Sequence, residues 1–379
     1  VTKFTDEQII DIVKDSPFNI LNQHYHKEIV RIADGNPRLA IMTALLAIEK
    51  QDLRALHNVS DLFDNYFSTF IKDDGKFEEP LNIKILGMLA FFFALPYKDK
   101  EIMLPILESF AIDYDEFFEH IDELERLELL EIQYDYVKIP EQNVSTYFFY
   151  KAFIKDNLLS FETLLNKFFD NEISRFRDCI IPANNNFGYG NVIEKIKPEL
   201  NRYLESIIKD EERTYNFLSM FWAYLQDETL NFVYGVIENM PSNGDADYMV
   251  SYDTNDIAFS ENRIIGLLGL FFRYQNRLSD SIELAFEFVR KQPQYLPGLI
   301  HKIRETLTFD SNDAGTDFNR QRILFEKLIG GVQQKDELYC KAFYELSKTF
   351  LLFKFEHTEA ARNHSFRIYY YQLPLDDSI

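Results

Sequence analysis

Cysteine, glycine, proline and tryptophan are all scarce in this 379-residue chain. It has two cysteines, Cys179 and Cys340, with 13 glycines, 12 prolines and one tryptophan. Two distant cysteines argue against a disulfide framework, match no metal-ligand spacing and fit a reducing compartment. Few glycines and prolines argue against a fold built from many tight turns, and favour long helices with short connections.

Basic residues are also in short supply. The chain has 40 lysines and arginines against 62 aspartates and glutamates, a formal net charge of −22. Such a surface repels phosphate groups, so we expect no direct nucleic-acid binding and no binding to anionic membranes. The natural partner of an acidic protein is another protein, for instance one with a basic patch.

Long hydrophobic runs and targeting signals are absent too. The longest apolar runs, such as Leu86–Pro96, fall short of the roughly 20 residues that a membrane-spanning helix needs. The N-terminal residues VTKFTDEQII have no charged region followed by an apolar one, so no signal peptide is visible. We therefore expect a soluble, cytoplasmic protein.

What is present is apolar and aromatic, with 36 phenylalanines and 22 tyrosines. In residues 1–80 a capped amphipathic helix follows Thr5. Gly35 is expected to end a second helix and Pro37 to begin a third, because proline at the first helical position costs no hydrogen bond. VSDLFDNYFSTFI is a fourth predicted helix. This range therefore predicts a small helical domain.

Residues 81–150 predict three helices, LNIKILGMLAFFF, KDKEIMLPILESF and YDEFFEHIDELERLELL, followed by a β-hairpin around Tyr134–Asp135. Three helices and a hairpin in this order predict a winged-helix domain. The third helix would read DNA, yet together with the preceding Asp113 it carries eight acidic residues against the single basic residue Arg126. That charge is wrong for the major groove, so a protein-packing role is favoured.

Residues 151–379 predict one helix after another, with CIIPANNNFGYGN as an interruption and polar loops at Pro241–Asn262 and Asp310–Asp317. No strict period is present, so the pattern favours an irregular, TPR-like array of helical pairs. The aromatic stripe Tyr147–Phe153 predicts core packing, with a partner groove as the alternative. The predicted fold class is mainly α.

Catalytic and metal-binding motifs are missing. The chain has no P-loop, no Rossmann glycine pattern, no His-Glu-x-x-His and no Gly-x-Ser-x-Gly. His24 and His26 are two residues apart and point away from each other on a helix, so we expect two surface histidines. His357 and His364 could share a face but have no acidic or cysteine cluster beside them. We expect no catalytic residue, no metal site and no cofactor in this chain.

The segment ADGNPRLAIMTA, placed before a predicted winged helix, resembles the Gly-x-Pro segment of STAND NTPases, which are signal-transducing P-loop ATPases. The resemblance implies a helical lid at 1–80, a winged helix at 81–150 and a superhelical sensor arm at 151–379. It also implies that Pro37 contacts the adenine of ADP or ATP with magnesium, held by an NTPase domain that this sequence does not include. Bacterial members act in antiviral defence, where the arm senses a protein trigger and the ATPase oligomerises.

The chain departs from the family in two respects. It lacks the P-loop domain, so it is not expected to be an enzyme by itself. Many members also carry a histidine that contacts the phosphate after the winged helix, whereas this chain has Ile139, Pro140 and Glu141 there. A helical-repeat scaffold without nucleotide binding is the main alternative. A winged-helix transcription regulator is a further one, which the charge disfavours.

Overall fold

A computed structural model describes most of the chain and shows a mainly helical fold. The described residues are 4–33, 35–50, 79–243, 262–308, 311–351, 354–360 and 366–372. Contacts divide the chain into an N-terminal unit, Val1–Arg213, and a C-terminal unit, Thr214–Ile379. The domain limits predicted at residues 80 and 150 stay predictions.

Three helices open the N-terminal unit and pack against one another: α1 (Asp6–Lys14), α2 (Gln23–Ala33) and α3 (Pro37–Lys50). The predicted cap at Thr5 is confirmed as a capping box. The side chain of Thr5 accepts the N–H of Gln8, and the Gln8 side chain accepts the N–H of Thr5 at 2.8 Å. The predicted helix VSDLFDNYFSTFI lies outside the described residues.

Three further helices and a small sheet follow. The elements are α4 (Pro80–Phe92), β1 (Ala94–Leu95), α5 (Lys100–Ser109), α6 (Tyr114–Arg126), β2 (Glu131–Gln133) and β3 (Tyr136–Lys138). The strands form an antiparallel sheet of order β1-β3-β2. In its centre, Val137 of β3 lies opposite Leu95 of β1 on one side and Ile132 of β2 on the other. The predicted hairpin is present, and Tyr134 turns it with a positive φ of 60°.

Helix α4 is buried along most of its length, which explains why its apolar residues show no single-sided pattern. Helix α4 packs against α7 (Gln142–Phe149) and against the π-helix Tyr150–Lys155, which continues α7. The approach is close: a Cβ on Gly87 would lie 2.2 Å from the Cβ of Ala152, so only glycine fits. The predicted core role of the Tyr147–Phe153 stripe is confirmed, because its aromatic side chains are buried.

The remaining helices of the N-terminal unit are α8 (Phe161–Phe168), α9 (Ile173–Phe187) and α10 (Tyr189–Ile207), and α11 (Glu211–Phe221) leads into the next unit. The interruption predicted over CIIPANNNFGYGN is present only at Gly188, because α9 runs through Pro182 as far as Phe187. Burial of Ile180, Ala183 and Phe187 holds this helix together despite the proline. The break comes later, at Gly188, which has a φ of +89°.

Two layers of helices make up the C-terminal unit. They are α12 (Gln226–Asn239), α13 (Arg263–Phe271), α14 (Leu278–Lys291), α15 (Leu296–Leu307), α16 (Asn319–Gln333) and α17 (Glu337–Phe350). Helices α12, α14 and α16 pack side by side, and so do α13, α15 and α17. The contact of Asp227 with Arg277 joins the first turn of α12 to the residue before α14, so these two helices run in the same direction.

Several local predictions for this unit need correction. The expected loop Asp310–Asp317 contains a short 3-10 helix, Ser311–Thr316. The last helix ends at Phe350, and an unpredicted hairpin follows with strands β4 (Lys354–Ala360) and β5 (Phe366–Gln372). None of the described helices has the length and apolarity to cross a membrane.

Candidate protein-interaction site

The Gly-Asn-Pro segment forms the turn between α2 and α3. Gly35 ends α2 in the left-handed region, with a φ of +78°. Asn36 caps α3, because its Oδ1 accepts the N–H of Leu39 at 3.2 Å. Pro37 takes the first helical position, as predicted. Helix capping is therefore a complete local explanation of these three residues.

Pro37 is half-buried. The turn is held in place from outside as well, because the N–H of Phe4 donates to the carbonyl of Gly35 at 2.9 Å. The predicted contact of Pro37 with adenine requires a nucleotide bound by another domain. That role stays a prediction.

Helix α6 exposes the acidic surface that its sequence predicts. Asp113 caps the helix by accepting the N–H groups of Asp115 and Glu116 at 2.9 and 3.1 Å. Of the eight acidic residues, all except Glu123 are exposed. This surface repels phosphate groups, and the expectation of no direct nucleic-acid binding rests on it.

The two histidines of α2 differ from the expectation of a surface pair. His24 is exposed, but His26 is only 6% exposed and its ring Nε2 lies 2.6 Å from the carbonyl oxygen of Ile20. Residues two apart face different sides of a helix, and the side of His26 packs on the segment before α2. His357 lies in β4 and His364 outside the described residues. Among the side chains that the structure describes, no three metal-binding groups come together.

An open groove of about 800 Å³ lies between α12 and α14 in the C-terminal unit and is called the α12–α14 groove. Leu230 and Ile237 are buried at its floor, and Leu284 is half-buried beside them. Tyr234 stands in the groove with 55% of its surface exposed. Five exposed acidic side chains line it: Asp227, Glu238, Asp280, Glu283 and Glu287. An apolar floor between acidic walls is an arrangement that can bind a protein segment.

The two basic residues of this groove are both engaged by the protein itself. Arg277 closes one end by pairing with Asp227 and, at 3.5 Å, with Asp280. At the other end, the Nζ of Lys291 donates to the carbonyls of Ile237 and Glu238, each at 2.8 Å, which caps the end of α12. The groove therefore presents a net negative charge to any partner.

A second opening, the α14–α16 groove of about 490 Å³, lies on the other side of α14. Glu283 and Glu287 line both grooves, so α14 forms the ridge between them. Here two cations pair with acidic groups across the helices: Lys327 bonds Glu283 at 2.6 Å, and Arg290 bonds Asp336 at 2.7 Å. The α14–α16 groove is consequently the less charged of the two.

Tyr339 anchors the wall of the α14–α16 groove. Its ring stacks on Phe286 with centroids 4.5 Å apart, and burial raises the pKa of its hydroxyl to about 12. The backbone of α16 approaches this ring very closely at Gly331, where a Cβ would lie 2.2 Å from Cγ of Tyr339. The wall is thus fixed by packing against neighbouring helices.

A buried carboxylate on α17, that of Glu345, is surrounded by basic side chains. Glu345 is 2% exposed and bonds the Nζ groups of Lys348 and Lys341 at 2.9 and 3.0 Å, with Arg304 at 3.8 Å. Burial alone would raise the pKa of the Glu345 carboxyl. The hydrogen bonds from the two lysines outweigh burial and hold this pKa below its ordinary value.

A second buried ion pair fixes the segment before α16. The guanidinium of Arg320 binds both carboxylate oxygens of Asp313, at 2.8 and 2.7 Å. It also donates to the carbonyls of Phe272 and Thr306 at 3.1 and 3.2 Å. This one residue therefore ties the 3-10 helix to the ends of α13 and α15.

The groove residues were not predicted from the sequence, although a signal was present. On α12, Asp227, Asn231, Tyr234 and Glu238 recur at intervals of three or four residues, which places them on one helix face. Asp280, Glu283 and Glu287 do the same on α14. Two acidic helical faces, one of them containing a tyrosine, indicate an exposed interaction surface once the helices are known to be neighbours.

Comparisons of the chain with protein-family models, with curated proteins and with solved structures found no match. A functional interpretation therefore depends on the element order and on the α12–α14 groove. Both are features of the described residues, and each leads to a separate experiment.

Proposed function

We propose that this chain is the regulatory and protein-sensing part of a STAND-type NTPase, and that its helical layer α12–α14–α16 binds a protein trigger. The observation that carries the sensing role is the α12–α14 groove. Its apolar floor, exposed Tyr234 and acidic walls offer both burial and charge to a partner. The chain itself performs no catalysis in this proposal.

The regulatory role is supported by the order of the elements. Three helices and a sheet of order β1-β3-β2 follow the Gly-Asn-Pro turn, which is the order expected of a lid followed by a winged helix. In this proposal the two layers of the C-terminal unit are an irregular TPR-like array. ADP or ATP with magnesium belongs to the separate NTPase domain, which Pro37 contacts at the adenine. Trigger binding would release that domain to oligomerise, in bacteria as part of antiviral defence.

A helical-repeat scaffold without a nucleotide switch is the second candidate. It is favoured by one specific observation, namely that capping alone accounts for Gly35, Asn36 and Pro37. This candidate keeps the same groove as its binding surface. A winged-helix regulator of transcription ranks below both, because the exposed face of α6 is acidic.

Site-specific photocrosslinking tests the sensing role. A photoreactive amino acid replaces Tyr234 in the groove or, as a matched control, the similarly exposed Tyr344 on α17, in cells that make the protein naturally. We expect a discrete crosslinked partner from the groove position and none from the control position. Equal adducts at the two positions, or none at position 234, would refute the groove as the sensing surface.

The nucleotide switch is tested separately. We expect the gene to encode a P-loop motif within about 300 residues before Val1, given usual domain sizes. In the protein that contains this domain, Pro37→Ala should lower the amount of ADP that co-purifies. A gene without that motif, or unchanged ADP retention in the variant, would leave the scaffold as the better description.

A further inference from the structure

We infer that the occupant of the α12–α14 groove is a basic amphipathic helix, with an apolar stripe flanked by lysine or arginine. This inference rests on the proposed function, in which the helical layer binds a protein, and it specifies the chemistry of that protein. The groove geometry and the excess of acidic over basic residues on its walls support it.

The dimensions of the groove match those of a short helix. Its acidic ends on α12, Asp227 and Glu238, are 11 residues apart, or about 17 Å along a helix axis. The apolar floor contacts, Leu230, Tyr234 and Ile237, follow one another at intervals of four and three residues. A partner helix lying alongside would meet this floor with apolar residues at i, i+4 and i+7, because both helices have the same rise.

The charges of the groove favour basic residues on both flanks of such a helix. Acidic side chains stand on both walls, with Asp227 and Glu238 on α12 and Asp280, Glu283 and Glu287 on α14. Five acidic residues and two basic residues line the groove, so its net charge is negative. Arg277 pairs with Asp227 and Asp280, and Lys327 and Arg290 reach Glu283 and Glu287 from the other side of α14. These ion pairs are largely exposed and therefore weak, which leaves the carboxylates accessible to a partner. Lysine or arginine on both flanks of the partner would pair with these walls, whereas an acidic helix would be repelled.

The neighbouring α14–α16 groove does not offer the same site. It is smaller, at about 490 Å³, and Lys327 and Arg290 already pair across it with Glu283 and Asp336. Lys327 and Arg290 line this groove but not the α12–α14 groove, so here they would repel a basic partner. The inference is therefore specific to one side of α14.

Synthetic peptides test the inference on the intact chain. The probe is an 18-residue, fluorescein-labelled helix of alanine with leucines at i, i+4, i+7 and i+11 and lysines on both flanks. Two control peptides carry glutamine in place of leucine, or glutamate in place of lysine. We expect the leucine–lysine peptide to bind, by fluorescence anisotropy, with a Kd at least tenfold below that of either control.

Matched variants of the protein locate the binding. Glu283→Lys on α14 and Tyr234→Ala on α12 should each weaken binding of the leucine–lysine peptide about tenfold. Glu305→Lys changes the net charge equally and, like Glu283, removes a carboxylate paired with a lysine, but it lies on α15 in the other layer. Glu305→Lys and Tyr344→Ala should leave the Kd within about twofold. Circular dichroism of each variant confirms that its helices are intact.

Three outcomes overturn the inference. Equal weakening by Glu305→Lys would mean that only overall charge matters, and equal binding of the glutamine peptide would mean that no apolar anchor is used. Failure of the leucine–lysine peptide to bind would also overturn the inference. A natural partner that crosslinks at Tyr234 through a segment other than a basic helix would overturn this inference and leave the proposed function standing.

Discussion

Two adjacent glycines of α16 have opposite surroundings, so replacing each with alanine should have opposite effects. A Cβ on Gly331 would lie 2.2 Å from Cγ and 2.4 Å from Cβ of Tyr339, whereas a Cβ on Gly330 would meet nothing within 4 Å. The Cβ of Tyr339 is fixed to the backbone of α17, so rotation of the side chain cannot relieve the clash. Gly331→Ala must therefore separate α16 from α17 or displace Tyr339 from Phe286.

The expected magnitude follows from these contacts. Overpacking of a helix interface costs about 1–3 kcal/mol, and loss of the Tyr339–Phe286 stacking costs roughly 0.5–1.5 kcal/mol more. Alanine regains about 0.5–1 kcal/mol through its higher helix propensity. Gly331→Ala should thus destabilise the C-terminal unit by roughly 1–3 kcal/mol, while Gly330→Ala should be neutral or stabilise it by up to ~1 kcal/mol.

The single tryptophan provides the assay. Trp222 lies in the C-terminal unit and packs on Phe271 and Tyr274, with ring centroids 4.9 and 5.5 Å away. Its fluorescence therefore reports unfolding of this unit during a urea titration. With a slope of about 2 kcal/mol/M, the midpoint of Gly331→Ala should fall by roughly 0.5–1.5 M. An unchanged midpoint, or an equal fall for Gly330→Ala, would refute the reasoning.

Three further predictions concern stability. Gly87→Ala should lower the free energy of unfolding by about 1–3 kcal/mol in calorimetry, whereas Gly190→Ala, where a Cβ meets nothing within 4 Å, should not. Glu345→Gln should destabilise by ~1–3 kcal/mol at pH 7. The pKa of Glu345 is lowered in the folded protein. The extra stability of the wild type over Glu345→Gln should therefore be lost as the pH falls from the ordinary value of 4.5 through the lowered pKa. Urea titrations at several pH values measure this loss. Asp313→Ala, which removes the buried carboxylate partner of the half-buried Arg320, should cost roughly 3–5 kcal/mol in the same titrations. Arg322→Ala, which removes the exposed Arg322–Asp317 pair, should cost at most ~1 kcal/mol.

The helices could be predicted largely from periodicity and caps, because both are local properties. Thr5 and Gly35 mark ends that the structure confirms. Strand β1 was missed because a two-residue strand has no pattern of its own and exists only through its pairing with β3. Pro182 was misjudged for a related reason: the burial of its neighbours on α9 outweighs the local cost of a proline.

The candidate site was harder to predict, because it depends on which helices become neighbours. The acidic residues of α14 look like an ordinary solvated face when that helix is considered alone. They become the wall of a groove only because α12 lies beside them and Leu230 and Ile237 form a floor between the two helices. Lys291 lies at the end of α14. Its hydrogen bonds to carbonyls of α12 are tertiary contacts, so the sequence alone could not show that this lysine is already engaged.

The uneven use of charge within the C-terminal unit argues that the groove is more than a consequence of an acidic composition. Glu345 is surrounded by three cations, although one would satisfy it. On α14, Glu283 and Glu287 stand four residues apart on one face, and each has one cation beside it among the described residues, Lys327 at 2.6 Å and Arg290 at 3.5 Å. Both pairs are largely exposed, so they stabilise the fold little and leave the carboxylates accessible. A basic partner in the groove would bring further positive charge to these carboxylates when it binds.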